Sequence, residues 1–238
     1  MCTKAAKRGN LEMLEWLRDH GFAWNSEVCS LAADKGHLHV IQWARKRDCP
    51  WDSTTPACAA KRGYIEIVQW ARANGCDWNT TVTDAAASAG CFETFKWCVT
   101  NGCSTSTGTC AKWALAGHIE ALALTKAHRC VWDADLCTHA ARGGHLRVLK
   151  WLKANGCPWD SNACVQAARS GHLKVLQWAR ANGCPWDKTA CHDAAYRGML
   201  MWAHKSGLQW YQDLRSYGKH SRHNAVLEWI DAGNTSLK

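Results

Sequence analysis

Four residue types in this chain could do chemistry. Fifteen cysteines could form disulfides or hold a soft metal. Histidines could ligate metal or move protons. Sixteen tryptophans could stack on bases or sugars. Twenty-nine Lys and Arg against twenty Asp and Glu give a net charge of +9, enough to meet phosphate or an acidic protein. Spacing assigns most of these residues a plainer role. Cys2, Cys29, Cys110, Cys137, Cys164 and Cys191 form one set, and Cys49, Cys76, Cys103, Cys130, Cys157 and Cys184 another. Separations within each set are multiples of 27. Positions repeated in this way read as copies of one packing role, filled by reduced thiols acting as small hydrophobes in a reducing compartment. No compact CxxC pair supports zinc.

The other residues follow the same period. Glycines stand at Gly9, Gly36, Gly63, Gly90, Gly117, Gly144, Gly171 and Gly198, each 27 residues from the last. Trp24–Trp43, Trp51–Trp70, Trp78–Trp97, Trp132–Trp151 and Trp159–Trp178 are each 19 apart. A fixed period of this size is the signature of a solenoid, in which each unit buries its apolar face against its neighbours. Most tryptophans therefore read as packing between repeats. His37, His118, His145 and His172 follow turn glycines and read as structural; a series spaced along a solenoid does not converge on one metal. His220 and His223 lie outside the period and are a weaker metal candidate with His204 or Asp213.

The repeat is clearest in AARSGHLKVLQWARANGCPWD, residues 167–187, and AARGGHLRVLKWLKANGCPWD, residues 140–160. Each unit predicts two helices. Asn25, Asp52, Asn79, Ser106, Asp133, Asp160 and Asp187 are N-cap candidates, with short side-chain acceptors for orphan backbone N–H groups. An alanine pair lines the second half of the first helix. Glycine turns the chain, and a second helix follows, His172–Asn182 in the best copy. Gly183 closes that helix, and Pro185 resists its continuation. The framework residues are Gly144, His145, Trp151, Gly171, His172, Trp178 and Trp186. One unit is degraded: Thr105 and Leu124 replace both tryptophans, and Trp113 compensates from the first helix. After Gly198 the pattern becomes irregular. The expected organisation is a single repeat domain over 1–238, regular over about 1–198 and irregular over 199–238, with about nine helix pairs in all.

These units resemble ankyrin repeats. Thr54, Ala59, Ala60 and Gly63 fall in the register of the family's TPLHxAAxxGH signature, with Pro56 one place late and Ala57 and Tyr64 in place of both histidines. Gly36-His37, Gly117-His118, Gly144-His145 and Gly171-His172 match its central turn. Trp178-Ala179 and Asn182-Gly183 occupy its leucine pair and terminal turn. The resemblance covers most of residues 1–210. It implies an all-α, ankyrin-like helical-hairpin solenoid. The family's unit is about 33 residues, so the 27-residue unit implies β-hairpin loops shortened or absent. This short form is similar to divergent ankyrin proteins of large DNA viruses and protists, implying a cytoplasmic or nuclear setting.

Two rows of cations remain. Lys7, Arg8, Lys35, Lys61, Arg62, Arg142, Arg169 and Arg197 precede turn glycines. Arg18, Arg45, Arg72, Lys126, Lys153 and Arg180 sit near second-helix C-termini, where cations also suit the helix dipole. Charge is uneven: residues 1–119 carry 13 basic and 11 acidic side chains, and 120–238 carry 16 and 9. Arg142, Arg169, Lys174, Arg180 and Arg197 are the candidate partner-binding residues. The main reading is a non-enzymatic protein-binding scaffold, monomeric apart from its partner. The first alternative is binding of nucleic acid or an acidic surface through the basic rows. The second is an enzyme in the irregular C-terminal region. No cofactor, metal or membrane is expected. The sequence contains no GxxxxGK[ST], HExxH or GxGxxG pattern and no apolar run of about 18 residues.

Overall fold

The structure, a computed structural model, describes residues 1–186 and Ala190. The expectations for Arg197, His204, Asp213, His220, His223, the cap at Asp187 and the irregular region 199–238 lie outside the described residues. The chain is an all-α repeat fold of helical hairpins, without a strand among the described residues. The hairpins are α1 (Cys2–Arg8) with α2 (Leu11–Asp19), α3 (Glu27–Asp34) with α4 (Leu38–Arg45), α5 (Thr54–Arg62) with α6 (Ile65–Ala73), and α7 (Thr80–Ala89) with α8 (Phe92–Thr100). They continue as α9 (Thr107–Ala116) with α10 (Ile119–Ala127), α11 (Ala134–Arg142) with α12 (Leu146–Ala154), and α13 (Ser161–Arg169) with α14 (Leu173–Ala181).

Two compact units divide the chain. One comprises Met1–Trp113 with Glu120–Val131, the other Ala114–Ile119 with Trp132–Lys238. The division falls in the repeat that has Thr105 and Leu124 in place of its tryptophans. In the first unit α1 packs on α3, α3 on α5 and α5 on α7. In the second, α11 packs on α13 and α12 on α14. The contacts between first helices rest on small side chains. Ala32, Ala33, Ala59, Ala60, Ala140, Ala141, Ala167 and Ala168 are fully buried. The degraded repeat restores bulk differently. Trp113 is fully buried, with ring centres of Phe95 and Phe92 at 5.1 and 6.1 Å.

Local chemistry sets the helix boundaries. Side chains of Asp52, Asn79, Asp133 and Asp160 accept from backbone N–H groups two residues on at 2.9–3.1 Å, and Ser106 Oγ accepts from Thr109 N at 3.0 Å. Asn79, Asp133 and Asp160 are N-caps, worth about 1 kcal/mol each, whereas the N-cap of α5 is Ser53, one residue after the expected Asp52. At the far end of every described second helix after α2 the link cysteine closes its own hairpin; Phe22 holds that position after α2. The thiols of Cys49, Cys76, Cys103, Cys130, Cys157 and Cys184 donate to the carbonyls of Asn25, Asp52, Asn79, Ser106, Asp133 and Asp160 at 3.3–3.6 Å. Each bond spans 24 residues, from the end of the hairpin to its beginning. The link cysteine is thus a donor as well as a small hydrophobe. Several link cysteines also touch the cysteine of the first helix: Cys29 hydrogen-bonds Cys49, Cys137 bonds Cys157 and Cys164 bonds Cys184.

The turn histidines reach between repeats. His145 Nε2 lies 2.9 Å from Leu115 O, and His172 Nε2 lies 3.1 Å from Arg142 O, each 30 residues back. A carbonyl only accepts, so Nε2 carries the proton in both. The bond satisfies a carbonyl at the C-terminus of the preceding first helix. The sequence reads these histidines as structural residues of a turn; here the rings of His145 and His172 span two hairpins. Each ring also covers the preceding turn glycine. A Cβ on Gly144 would lie 2.6 Å from the His172 ring, and one on Gly117 would lie 2.8 Å from His145. Both glycines have positive φ.

Two outcomes test this framework. Gly156 also has positive φ but faces open space, so Gly156→Ala should cost about 1–2 kcal/mol. Gly144→Ala should cost more in denaturant melts, with partial recovery in the double variant with His172→Ala. Equal costs would remove the histidine from the packing. The second outcome concerns pH. Burial pushes the Cys76 and Cys98 thiols up to about 12 and Cys103 up to about 11. Thiols raised in the folded state stabilise fully below the unfolded value of about 8.5, and that contribution fades as pH rises through the folded values. Denaturant midpoints should fall from about pH 8.5 upward, and Cys76→Ala with Cys103→Ala should flatten the decline. A flat wild-type profile would contradict this.

Candidate functional site

Within each unit, tryptophans stack in pairs and cations at second-helix C-termini lie on them. Rings of Trp24–Trp43, Trp51–Trp70, Trp78–Trp97, Trp132–Trp151 and Trp159–Trp178 lie 5.5–5.8 Å apart, steeply inclined. The cation before each link lies over the link indole: Arg18 over Trp24, Arg45 over Trp51, Arg72 over Trp78 and Lys153 over Trp159, at 4.3–4.6 Å. Three of these cations also donate to link carbonyls, Arg18 to Phe22 O at 2.7 Å, Lys153 to Cys157 O at 3.1 Å, and Arg45 to Cys49 O. Arg18, Arg45, Arg72 and Lys153 are therefore engaged internally. A cation held over an indole contributes about 0.5–2 kcal/mol, depending on its exposure. Arg180 occupies the equivalent sequence position and is exposed. The N–H of buried Trp43 has no acceptor among the described residues.

A cleft of about 440 Å³ opens in the first unit, lined by Gln42, Arg45, Lys46, Trp51, Trp70 and Asn74. It is the recess beside one link, and its Arg45 is already stacked. Among the described residues no group of three or more His, Cys, Asp or Glu is arranged to hold a metal. None of the described helices is long and apolar enough to cross a membrane.

Cations at the other end of the hairpins differ. Asp34 pairs with Arg62 at 2.8 Å and with Lys35 at 3.0 Å, and Lys112 lies 3.8 Å from Asp84. The Arg62 guanidinium holds the Asp34 carboxyl below its ordinary range. Part of the first row is thus neutralised in the first unit. In the second unit Arg142 and Arg169 are exposed at the ends of α11 and α13, and Lys174 is exposed one residue into α14. Arg142, Arg169 and Lys174 therefore flank the two hairpin turns. Arg180 lies near the opposite end of α14, roughly 10 Å along the axis at 1.5 Å per residue. The four described candidates divide between two edges.

Two further residues complete the turn edge, Arg147 and Lys150, both exposed on α12. Arg147 and Lys174 share one repeat position. Its earlier occupants are Glu12, His39, Glu66, Glu93 and Glu120. The position therefore changes from mostly acidic to basic within the chain. Arg147 and Lys150 are three apart and so neighbours on the helix surface. Lys150 Nζ stands 6.0 Å from the Trp178 ring centre. Helices α12 and α14 carry no acid at all. Asp133 and Asp160 accept bonds at first-helix N-termini, away from the turns. Among the described residues Arg147, Lys150 and Lys174 have no carboxylate within ion-pair distance. Comparing one repeat position across all units would have revealed this reversal; following rows of like charge hid it.

No family model matches the sequence, and no curated protein matches it. Similarity lies in solved structures. The human ASB11 ankyrin repeat domain superposes with a TM-score of 0.52 at 15% identity, over 61% of this chain and 81% of that one. The pentatricopeptide repeat protein PPR10, in complex with an 18-nt psaJ RNA element, superposes with a TM-score of 0.51 at 13% identity. That match covers all of this chain but only 38% of PPR10. A triple cysteine-to-serine form of PPR10 with the same RNA element gives the same values. The likeness to the ankyrin-repeat fold is thus distant and partial, and both comparisons are to repeat folds.

Proposed function

We propose that this chain is a non-enzymatic binding scaffold whose second unit takes a polyanion, a nucleic-acid backbone, along the hairpin-turn edge formed by Arg142, Arg147, Lys150, Arg169 and Lys174. One observation carries this reading: the repeat position held by Glu66, Glu93 and Glu120 becomes Arg147 and Lys174. Packing does not require that reversal, since the position is exposed with either charge. Exposed cations attract phosphate and release counterions when it binds. The structural likeness to a repeat protein crystallised with RNA supports the choice of ligand class.

A second reading, an acidic protein segment, rests on the same cations and on the likeness to an ankyrin repeat domain. It is the form that the protein-scaffold expectation now takes. The unbroken 27-residue glycine period is the basis for reading 1–238 as one repeat domain, monomeric apart from its partner. The short period is also the basis for placing its origin with the ankyrin-like proteins of large DNA viruses and protists. A cytoplasmic or nuclear setting follows from that reading.

Fluorescence anisotropy with a homopolymeric single-stranded RNA and a polyglutamate peptide tests the proposal. With about four phosphate contacts, log K against log salt should fall with a slope near about −3. Arg147→Glu with Lys174→Glu should flatten that slope by about 1.4. Arg45→Ala should lower stability while leaving the slope unchanged. Binding of polyglutamate without RNA would favour the acidic-protein reading. Binding of neither, or a slope indifferent to Arg147 and Lys174, would defeat the turn-edge proposal.

A further inference from the structure

The cysteine pairs of the hairpins are not equivalent. In the degraded repeat Cys110 Sγ lies 2.9 Å from Cys130 Sγ, both within the first unit. Cys110 is buried, but Cys130 is half-buried, whereas the link cysteines Cys49, Cys76, Cys103, Cys157 and Cys184 are all buried. The link explains the difference. Its sequence is HRCVW, against NGCPW in the best repeats. Arg129 takes the place of glycine yet keeps a left-handed φ of 59°, a conformation that is costly for a residue with a Cβ. Val131 replaces proline and is 73% exposed. Asp48 shares the left-handed backbone, but Pro50 follows and Cys49 stays buried. Loss of both glycine and proline thus coincides with the one link cysteine that solvent reaches among the described residues.

We propose that Cys110 and Cys130 form a reversible intrachain disulfide when the chain meets a peroxide, making this hairpin its redox-responsive point. Cys130 is the sulfur a peroxide reaches. Its thiolate attacks one peroxide oxygen, the O–O bond breaks, and Cys130 becomes a sulfenic acid with release of one water. The Cys110 sulfur then attacks Cys130 Sγ, the S–O bond breaks, and the hydroxide leaves as a second water with the Cys110 proton. Two thiols lose two electrons and two protons, and one peroxide becomes two waters. The sulfurs close from 2.9 Å to about 2.0 Å. A dithiol reductant reverses the step by thiol–disulfide exchange. Closure also removes the Cys130 proton that is donated to Ser106 O.

Three other bonded pairs serve as internal controls, Cys29–Cys49, Cys137–Cys157 and Cys164–Cys184, whose link sulfurs are buried. The full chain is treated with hydrogen peroxide, quenched by alkylation, and mapped by proteolysis and mass spectrometry. The expected first product is a peptide joining Cys110 to Cys130, lighter by two hydrogens and split by dithiothreitol. In Cys110→Ser, Cys130 should persist as a sulfenic acid that dimedone traps. The wild-type map needs no substitution, so a misfolded variant does not obscure the result. The proposal is overturned if a buried pair links first, if no Cys110–Cys130 link forms, or if Cys130 proceeds to the sulfinic acid while Cys110 remains alkylatable.

Discussion

Closure of the hairpins on themselves, from the second hairpin onward, is the constraint from which the rest of the architecture follows. The thiol after the second helix donates to the carbonyl that precedes the first helix, 24 residues earlier. A thiol is a weak donor, so the bond matters less for its strength than for its position. It brings the end of one hairpin to its own beginning and leaves a link of a few residues before the next. With the link occupied by a buried cysteine, a stacked indole and an N-cap, no length remains for a projecting β-hairpin. The 27-residue period is the sequence record of that economy. The turn at the other end is held by a different device, a ring from one hairpin lying on the glycine of the hairpin before it.

The short link also decides which cations can face a partner. Trp24, Trp51, Trp78 and Trp159 each lie between a tryptophan of their own hairpin and a cation of the preceding second helix. Arg18, Arg45, Arg72 and Lys153 are thereby engaged in packing. Cations at the turn end have other surroundings. In the first unit several meet carboxylates. In the second, the helices bearing Arg147, Lys150 and Lys174 carry no acid. The two edges of one hairpin thus differ: cations at the link edge stack on indoles, while Arg147, Lys150 and Lys174 are exposed.

Much of this was legible in the sequence, because repetition converts a residue type into a position. Gly144, Trp178 and Cys184 each state a role when seen beside their copies, and Asp52, Asn79, Asp133 and Asp160 name the starts of helices. The contacts of the side chains were less legible. Arg45 and Arg169 look alike in a row of cations, and only the fold shows that Arg45 lies over an indole while Arg169 stands at a turn. The reach of His172 to Arg142 was also hidden, since a partner 30 residues away is invisible to a turn motif. Arg147 escaped notice for another reason: its meaning lies in the contrast with Glu66, Glu93 and Glu120.

The division between packing cations and the proposed ligand cations can be tested one lysine at a time. Lysine acetylation footprinting of the full chain, with and without homopolymeric RNA, compares residues that differ in role within the same two helices. Protection of Lys150 and Lys174 with Lys153 unchanged is the predicted result. Protection of Lys153 while Lys174 reacts as before would place the ligand on the link edge and contradict the assignment.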